Sequence, residues 1–287
     1  MIIVTGATGQ LGGRIVERLL TRVPAHQVGV SVRDPGKARA LADRGVRVRQ
    51  GSFTDAASLG RAFEGASQVL IVSVDKMGEE CVSQHRTAIG AAAAAGARRI
   101  LYTSHMGASA ASRFEACRDH AADEEALRAC GVPFTSLRNG FHAASAAMFL
   151  GHAAQSGTLA LPTDGPVCWT AHEDLADAAA AILADEGRFD GPTPSLTAAQ
   201  ALTFDDIAAL AAEITGRPIT RTTVTDDEFR TQLTASGVPS VVAEQLLGIF
   251  AASRAGEFAT PDPTLASLLG REPTPLATVL RAALSSG

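Results

Sequence analysis

A chain of 287 residues, 46% of them hydrophobic and with a net charge of −5, can bury one large α/β domain and a smaller appended portion, which excludes a disordered chain. Its lysines and arginines are dispersed, which argues against a nucleic-acid partner. Cys81, Cys117, Cys130 and Cys168 show no CxxC or Cys/His ligand spacing; no metal site is expected, and they read as reduced thiols of a cytoplasmic protein.

The chain enters an apolar strand at once, without the pattern of a signal peptide, and its longest apolar run, 88–97, is too short for a bilayer. A soluble protein with no membrane partner is expected. Strands are expected at 2–4, 28–32, 46–49, 69–72, 100–103 and 134–137, with helices between them at 11–22, 36–43, 56–63, 79–95 and 114–130. Parallel neighbours need crossover connections, so this rhythm calls for a parallel sheet with helices on both faces. Past residue 150 the rhythm breaks into a strand at 157–161, an alanine-rich helix at 174–184 and a short strand at 195–197. Thr203 is a good N-cap, with Asp205 and Asp206 in the first turn of its helix. From Thr225 the chain is mostly helical, interrupted at Pro239 and at 261–263.

The opening Thr5-Gly6-Ala7-Thr8-Gly9-Gln10-Leu11-Gly12 sets a Gly-x-x-Gly-x-x-Gly series between the first strand and the first helix. Gly6 permits the tight turn, Gly9 lets backbone approach a pyrophosphate, and Gly12 lets the helix pack close to the strand. The end of the second strand selects the dinucleotide. An NAD site usually carries an acidic residue there for the ribose hydroxyls, whereas this chain reads Val32-Arg33-Asp34-Pro35-Gly36-Lys37. Arg33 and Lys37 would meet a 2′-phosphate with two cations, and Asp34, beside Pro35, reads as a helix cap, so NADPH is the expected cofactor. Residues 1–150 are thus expected to form an NADP-binding, Rossmann-type doubly wound α/β domain, its sheet completed by segments up to about 200. Residues 151–287 form a smaller, mostly helical substrate-binding lobe at the carboxyl edge of that sheet.

The glycine series, Val32-Arg33-Asp34-Pro35-Gly36-Lys37-Ala38, Tyr102-Thr103-Ser104 and Leu137-Arg138-Asn139-Gly140 together resemble the NmrA-like branch of the atypical short-chain dehydrogenase/reductases. Within that branch the chain is most similar to bacterial NADPH-dependent quinone oxidoreductases of the second type and to triphenylmethane reductases. The resemblance implies that Thr8, Gln10 and Leu11 lie along the pyrophosphate, Arg33 at the 2′-phosphate, and Ser52 and Phe53 beside adenine. It implies further that Val72, Ser73 and Val74 pass over the ribose, that Ser104 and His105 lie near the nicotinamide, and that Asn139, Gly140 and Phe141 line the nicotinamide and substrate side.

Ordinary short-chain dehydrogenases use a Tyr-x-x-x-Lys pair, which this chain lacks: its single tyrosine, Tyr102, has no lysine four residues on. His120 matches the position that lysine holds in isoflavone-reductase-like relatives and histidine in quinone reductases, and Ala116 stands four residues before it. Quinones and triarylmethane cations need hydride more than a positioned acid, so proximity and a dry cleft suffice for them. His120 and Ser104 are the candidate catalytic residues. Met77, Met106, His142 and Trp169 are candidates for the substrate side, Phe141 and Trp169 having a core role as the competing reading. The expected partner is a quinone or dye-like hydride acceptor, with an NADP(H) redox sensor or a biosynthetic reductase as alternatives. Oligomeric state is left open, a homodimer being admitted.

Overall fold

The computed structural model describes residues 1–151 and 153–285. In chain order the first portion runs β1 (Ile2–Thr5), α1 (Gln10–Leu20), β2 (Val28–Val32), α2 (Arg39–Asp43), β3 (Arg47–Gln50), α3 (Ala56–Phe63), β4 (Gln68–Ile71), α4 (Glu79–Ala94), β5 (Arg99–His105), α5 (Glu115–Ala129) and β6 (Phe134–Asn139). There follow β7 (Phe141–His142), α6 (Ala143–Leu150), α7 (Ala153–Ser156), β8 (Thr158–Pro162), β9 (Trp169–Thr170), α8 (His172–Ala184), β10 (Gly191–Pro192), α9 (Phe204–Thr215) and β11 (Thr220–Val224). The chain ends with α10 (Asp226–Ala235), α11 (Ser240–Arg254), α12 (Thr264–Leu269) and α13 (Leu276–Ser285).

A parallel sheet in the order β10-β6-β5-β4-β1-β2-β3 forms the centre of the fold. The strand order reverses between β1 and β4, which opens a crevice at their carboxyl ends. Both faces are covered because successive side chains alternate: Ile2 and Val4 pack with Ile15, Leu19 and Ile182, whereas Ile3 packs with Leu59, Phe63 and Ile89. In β5 the same alternation sends Leu101 to the first face and Tyr102 to the second, beneath α4 and α5.

The later segments weave between two cores. Helix α8 and Leu265 of α12 join the aliphatic core of the sheet, whereas α6, α9, α11, α13 and Trp169 build an aromatic-rich second core with Phe114, Phe141 and Phe258. A short strand was expected at 195–197; the paired strand is instead Gly191–Pro192, and Leu196 keeps a single bridge to Asn139. The ladder breaks after Thr193, whose N–H donates to the Ser136 carbonyl (2.8 Å): its side-chain Oγ1 takes the Arg138 N–H (3.1 Å), and the next N–H toward β6 is that of Leu196 (to the Arg138 carbonyl, 2.8 Å), one residue later than strand alternation gives. Thr203 caps α9 through a reciprocal capping box with Asp206. Among the described residues no helix is long and apolar enough to cross a membrane.

Candidate active site

At the carboxyl end of β1, Gly6 adopts φ 62°, and the Gly9 N–H donates to the Gly6 carbonyl at 2.9 Å, closing the turn. A Cβ on Gly12 would lie 2.3 Å from the Gly6 carbonyl oxygen, and one on Gly9 would lie 3.2 Å from it. The helix therefore approaches the strand only because these positions have no side chain. Gly9 is also the N-cap of α1, and no side chain caps that end, so its first-turn N–H groups are left for an anion. Arg14 draws Gln10 into a surface cluster, donating to its carbonyl and side-chain oxygens at 2.7 and 2.8 Å, and ion-pairs with Glu173 of α8 at 2.6 Å. These features fit a bound pyrophosphate.

Beyond β2, Arg33 and Lys37 are exposed, and neither makes an ion pair among the described residues. Asp34 is committed: its carboxylate accepts the Gly36 N–H at 2.9 Å and caps the 3-10 turn that Pro35 begins. Two unpaired cations beside a spent carboxylate fit a 2′-phosphate better than a free ribose diol. After β3, the Ser52 N–H donates to Ser58 Oγ at 3.0 Å, and Phe53 packs edge-on against His85, with ring centroids 6.2 Å apart.

The loop after β4 is held by side chains of three elements. The Val72 N–H donates to Thr5 Oγ1 (2.9 Å), that of Ser73 to Thr103 Oγ1 (2.8 Å), and that of Val74 to His85 Nε2 (2.9 Å). His85 must therefore carry its proton on Nδ1, which lies 2.6 Å from Asp123 Oδ2. The same carboxylate oxygen accepts the Tyr102 hydroxyl at 2.8 Å, and the Tyr102 oxygen lies 2.7 Å from His120 Nδ1. Since the tyrosine proton goes to Asp123, His120 donates through Nδ1 and leaves Nε2 as an acceptor. Burial, followed by the Asp123 charge, holds the Tyr102 phenol well above its usual range. Burial, followed by the neighbouring His105, His85 and His142, holds His120 well below the usual imidazole value, so it is neutral.

Ser104 projects elsewhere. Its hydroxyl donates to Glu124 Oε1 at 2.9 Å, as does that of Ser136, and Arg138 clamps the same carboxylate with contacts of 3.1 and 2.7 Å. Ser104 and the arginine of Leu137-Arg138-Asn139-Gly140 thus fasten β5 and β6 to α5. Gly140 in that motif has no alternative, because a Cβ there would lie 2.2 Å from Thr170 Oγ1. Asn139 is buried at the end of β6, and its carbonyl accepts the Met106 N–H at 2.8 Å.

His105 ends β5 inside a ring of aromatics, with centroids 5.3 Å from both Phe141 and Phe258 and 6.4 Å from Phe114. Burial pushes it down to about 4. Met77 and Met106 pack partly buried against this cluster. Phe141 leans on Trp169 at 5.2 Å; Trp169 is 1% exposed, and its indole N–H is used on the Leu202 carbonyl at 3.0 Å, so it supports the aromatic wall from behind. His142 packs against His172 at 4.2 Å and is pushed down to about 3, first by burial and then by His172 and His105.

Sequence reasoning passed over Asp123 and Glu124, and it gave Tyr102 no part in the site. A signal was available: Cys117, His120, Asp123, Glu124 and Leu127 recur at helical spacing along α5, and Cys117, Asp123, Glu124 and Leu127 are buried. Acids on a buried helical stripe must be paired.

The sequence matches the NmrA-like family model over residues 1–277, and the chain belongs to that family. It is 34% identical to Quinone oxidoreductase 2 of Escherichia coli (strain K12) over 281 residues, 96% of each chain. The crystal structure of an NADPH-dependent quinone oxidoreductase from Escherichia coli complexed with NADPH superposes with a TM-score of 0.93 at 32% identity, covering 99% of this chain and 100% of that one. That of the Citrobacter sp. triphenylmethane reductase complexed with NADP(H) gives 0.90 at 34% identity, with the same coverage.

Proposed function

We propose that this chain is an NADPH-dependent reductase that transfers hydride to a quinone or similarly conjugated acceptor. The observation that carries the reading is a cluster of aromatic rings packed around imidazoles held neutral at the carboxyl end of β5, beside an uncapped glycine turn suited to a dinucleotide. Such a site offers proximity and exclusion of water rather than acid catalysis. Bound NADPH would supply the hydride. Thr8, Gln10 and Leu11 would hold its pyrophosphate, Arg33 and Lys37 its 2′-phosphate, Ser52 and Phe53 its adenine, and Val72–Val74 and Asn139–Phe141 its ribose and nicotinamide. His120 would accept a hydrogen bond from a ribose hydroxyl on Nε2, with Tyr102 and Asp123 fixing its tautomer. Met77, Met106 and Phe141 would face the acceptor, with His142 behind them.

The reading extends to a cytoplasmic protein without a nucleic-acid partner, in keeping with four free cysteines and dispersed charge, and to a homodimer, which sedimentation equilibrium tests. The decisive experiment measures NADPH and NADH binding side by side, then turnover with quinones, triarylmethane dyes and simple ketones. NADPH should bind more tightly, and quinone or dye should be reduced far faster than ketone. Tight NADPH binding with no oxidation by any acceptor would sink the reductase and favour a redox sensor.

A further inference from the structure

The His105 and His120 rings stand nearly parallel, 17° apart with centroids separated by 6.2 Å, yet their partners give them opposite hydrogen-bonding character. On His105, Nδ1 accepts the Gly107 N–H at 3.0 Å and faces Cys117 Sγ at 3.2 Å. A backbone N–H can only donate, so Nδ1 is bare, the thiol turns its own proton toward it, and the single ring proton lies on Nε2. Burial pushes the Cys117 thiol up to about 12, so it keeps that proton. On His120 the assignment is reversed, with Nδ1–H toward Tyr102 and a bare Nε2.

Among the described residues neither Nε2 atom has a hydrogen-bond partner. The enclosed polar atoms that lack partners lie elsewhere, on Arg18, Ser31, Arg47, Asp123 and Arg221, so neither Nε2 atom is fully enclosed. One ring therefore presents a donor to the cleft and the other an acceptor.

We propose that His105 Nε2–H donates a hydrogen bond to the carbonyl oxygen of the acceptor, and that this donor favours quinones over conjugated acceptors that lack oxygen, such as triarylmethane cations. The inference rests on the reductase reading. Phe114 and Phe141 beside His105, backed by the fully buried Phe258, suit a flat apolar ring, and in so dry a setting one fixed donor to a developing oxyanion is worth about 100-fold or more in rate. The ring stays neutral and keeps its Nε2 proton throughout, polarising the oxygen without transferring a proton. Overall, quinone, NADPH and a proton from water give hydroquinone and NADP+: the quinone gains the hydride with its electron pair, and water protonates the oxyanion.

The test compares wild type with His105→Phe at saturating NADPH, using duroquinone, whose methyl groups block thiol addition, and malachite green. The quinone-to-dye ratio of kcat/KM should fall about 100-fold in the variant. An unchanged ratio would overturn the proposal, and an unchanged ratio with NADPH binding weakened tenfold would give the donor to the cofactor instead. Wild type that reduces dye but not quinone would also overturn it, whereas wild type that oxidises NADPH with neither would remove the reductase reading itself. Independently of the variant's folding, nitrogen-15 spectra of wild type with NADP+ should show His105 as the Nε2–H tautomer from pH 5.5 to 8, its Nε2 proton moving downfield when duroquinone is added. A proton on Nδ1, or no shift, would refute the assignment.

Discussion

At the proposed phosphate end of the site the structure is backbone: Gly6, Gly9 and Gly12 shape the turn by having no side chains, and Arg33 and Lys37 are exposed beyond the neighbouring strand. At the proposed nicotinamide end the scaffold is a network of side chains, with His85 from α4, Tyr102 and His105 from β5, and His120 from α5, each with its proton placed by its neighbours, and Asp123 of α5 accepting from His85 and Tyr102. The first region needs only a local conformation and tolerates little bulk. The second needs several elements in register, and its failure leaves buried polar groups without partners. The two should therefore break differently, one through sterics and charge, the other through lost hydrogen bonds and misplaced protons.

The largest effect is expected at Asp123. Asp123→Ala strands the His85 and Tyr102 donors and should cost about 3 kcal/mol in urea unfolding; a loss below about 1 kcal/mol would mean the array is peripheral to stability. Gly12→Val drives a side chain into the Gly6 carbonyl and should weaken NADPH binding by up to about 100-fold in calorimetry, since overpacking one contact costs about 1–3 kcal/mol. Near-normal affinity would show that α1 can shift.

Arg33→Ala tests charge alone. Loss of a charge-assisted contact should weaken NADPH roughly 10- to 30-fold and leave NADH nearly unchanged. Equal losses for both would move the 2′-phosphate elsewhere.

The neutral imidazoles predict a pH dependence of stability. The folded-state values of His105 and His142 are about 4 and about 3, and that of His120 is also depressed, all below the 6.5 of an exposed ring. Below about pH 6.5 the unfolded chain takes up protons that the folded chain refuses. This contribution is therefore intact above that pH and declines as pH falls toward 4, by up to about 1.4 kcal/mol per pH unit for each ring. Unfolding followed from pH 7 to 4.5 should show the decline, and His142→Asn should make it shallower; an equal slope in the variant would show that His142 titrates normally. The smallest effect belongs to the second core, where Thr203→Ala removes the α9 cap and should cost about 1 kcal/mol, read as a small drop in Tm.

The sheet rhythm, the glycine turn and the basic end of β2 were legible because each depends on a few neighbouring residues. Asp34 read correctly as a cap for the same reason: its partner, Gly36, is two residues away. The short strand at 195–197 was misplaced because its pairing depends on which N–H groups face β6, and the Thr193 side chain, by taking the Arg138 N–H, interrupts that ladder. Ser104, a chemical candidate by position, has its hydroxyl turned to Glu124, and Trp169 supports the cleft wall rather than lining it.

By itself the sequence determined that a glycine-shaped turn would join the first strand to the first helix and that the usual Tyr-x-x-x-Lys pair was missing, since both are statements about nearby residues. Only the tertiary structure decided that the lone tyrosine nevertheless reaches His120. Tyr102 and His120 meet because β5 alternation points the phenol beneath α5, whose turn carries His120 and Asp123 on one face. A glycine's φ is a local property, whereas the location of a proton depends on every group packed around the ring that holds it.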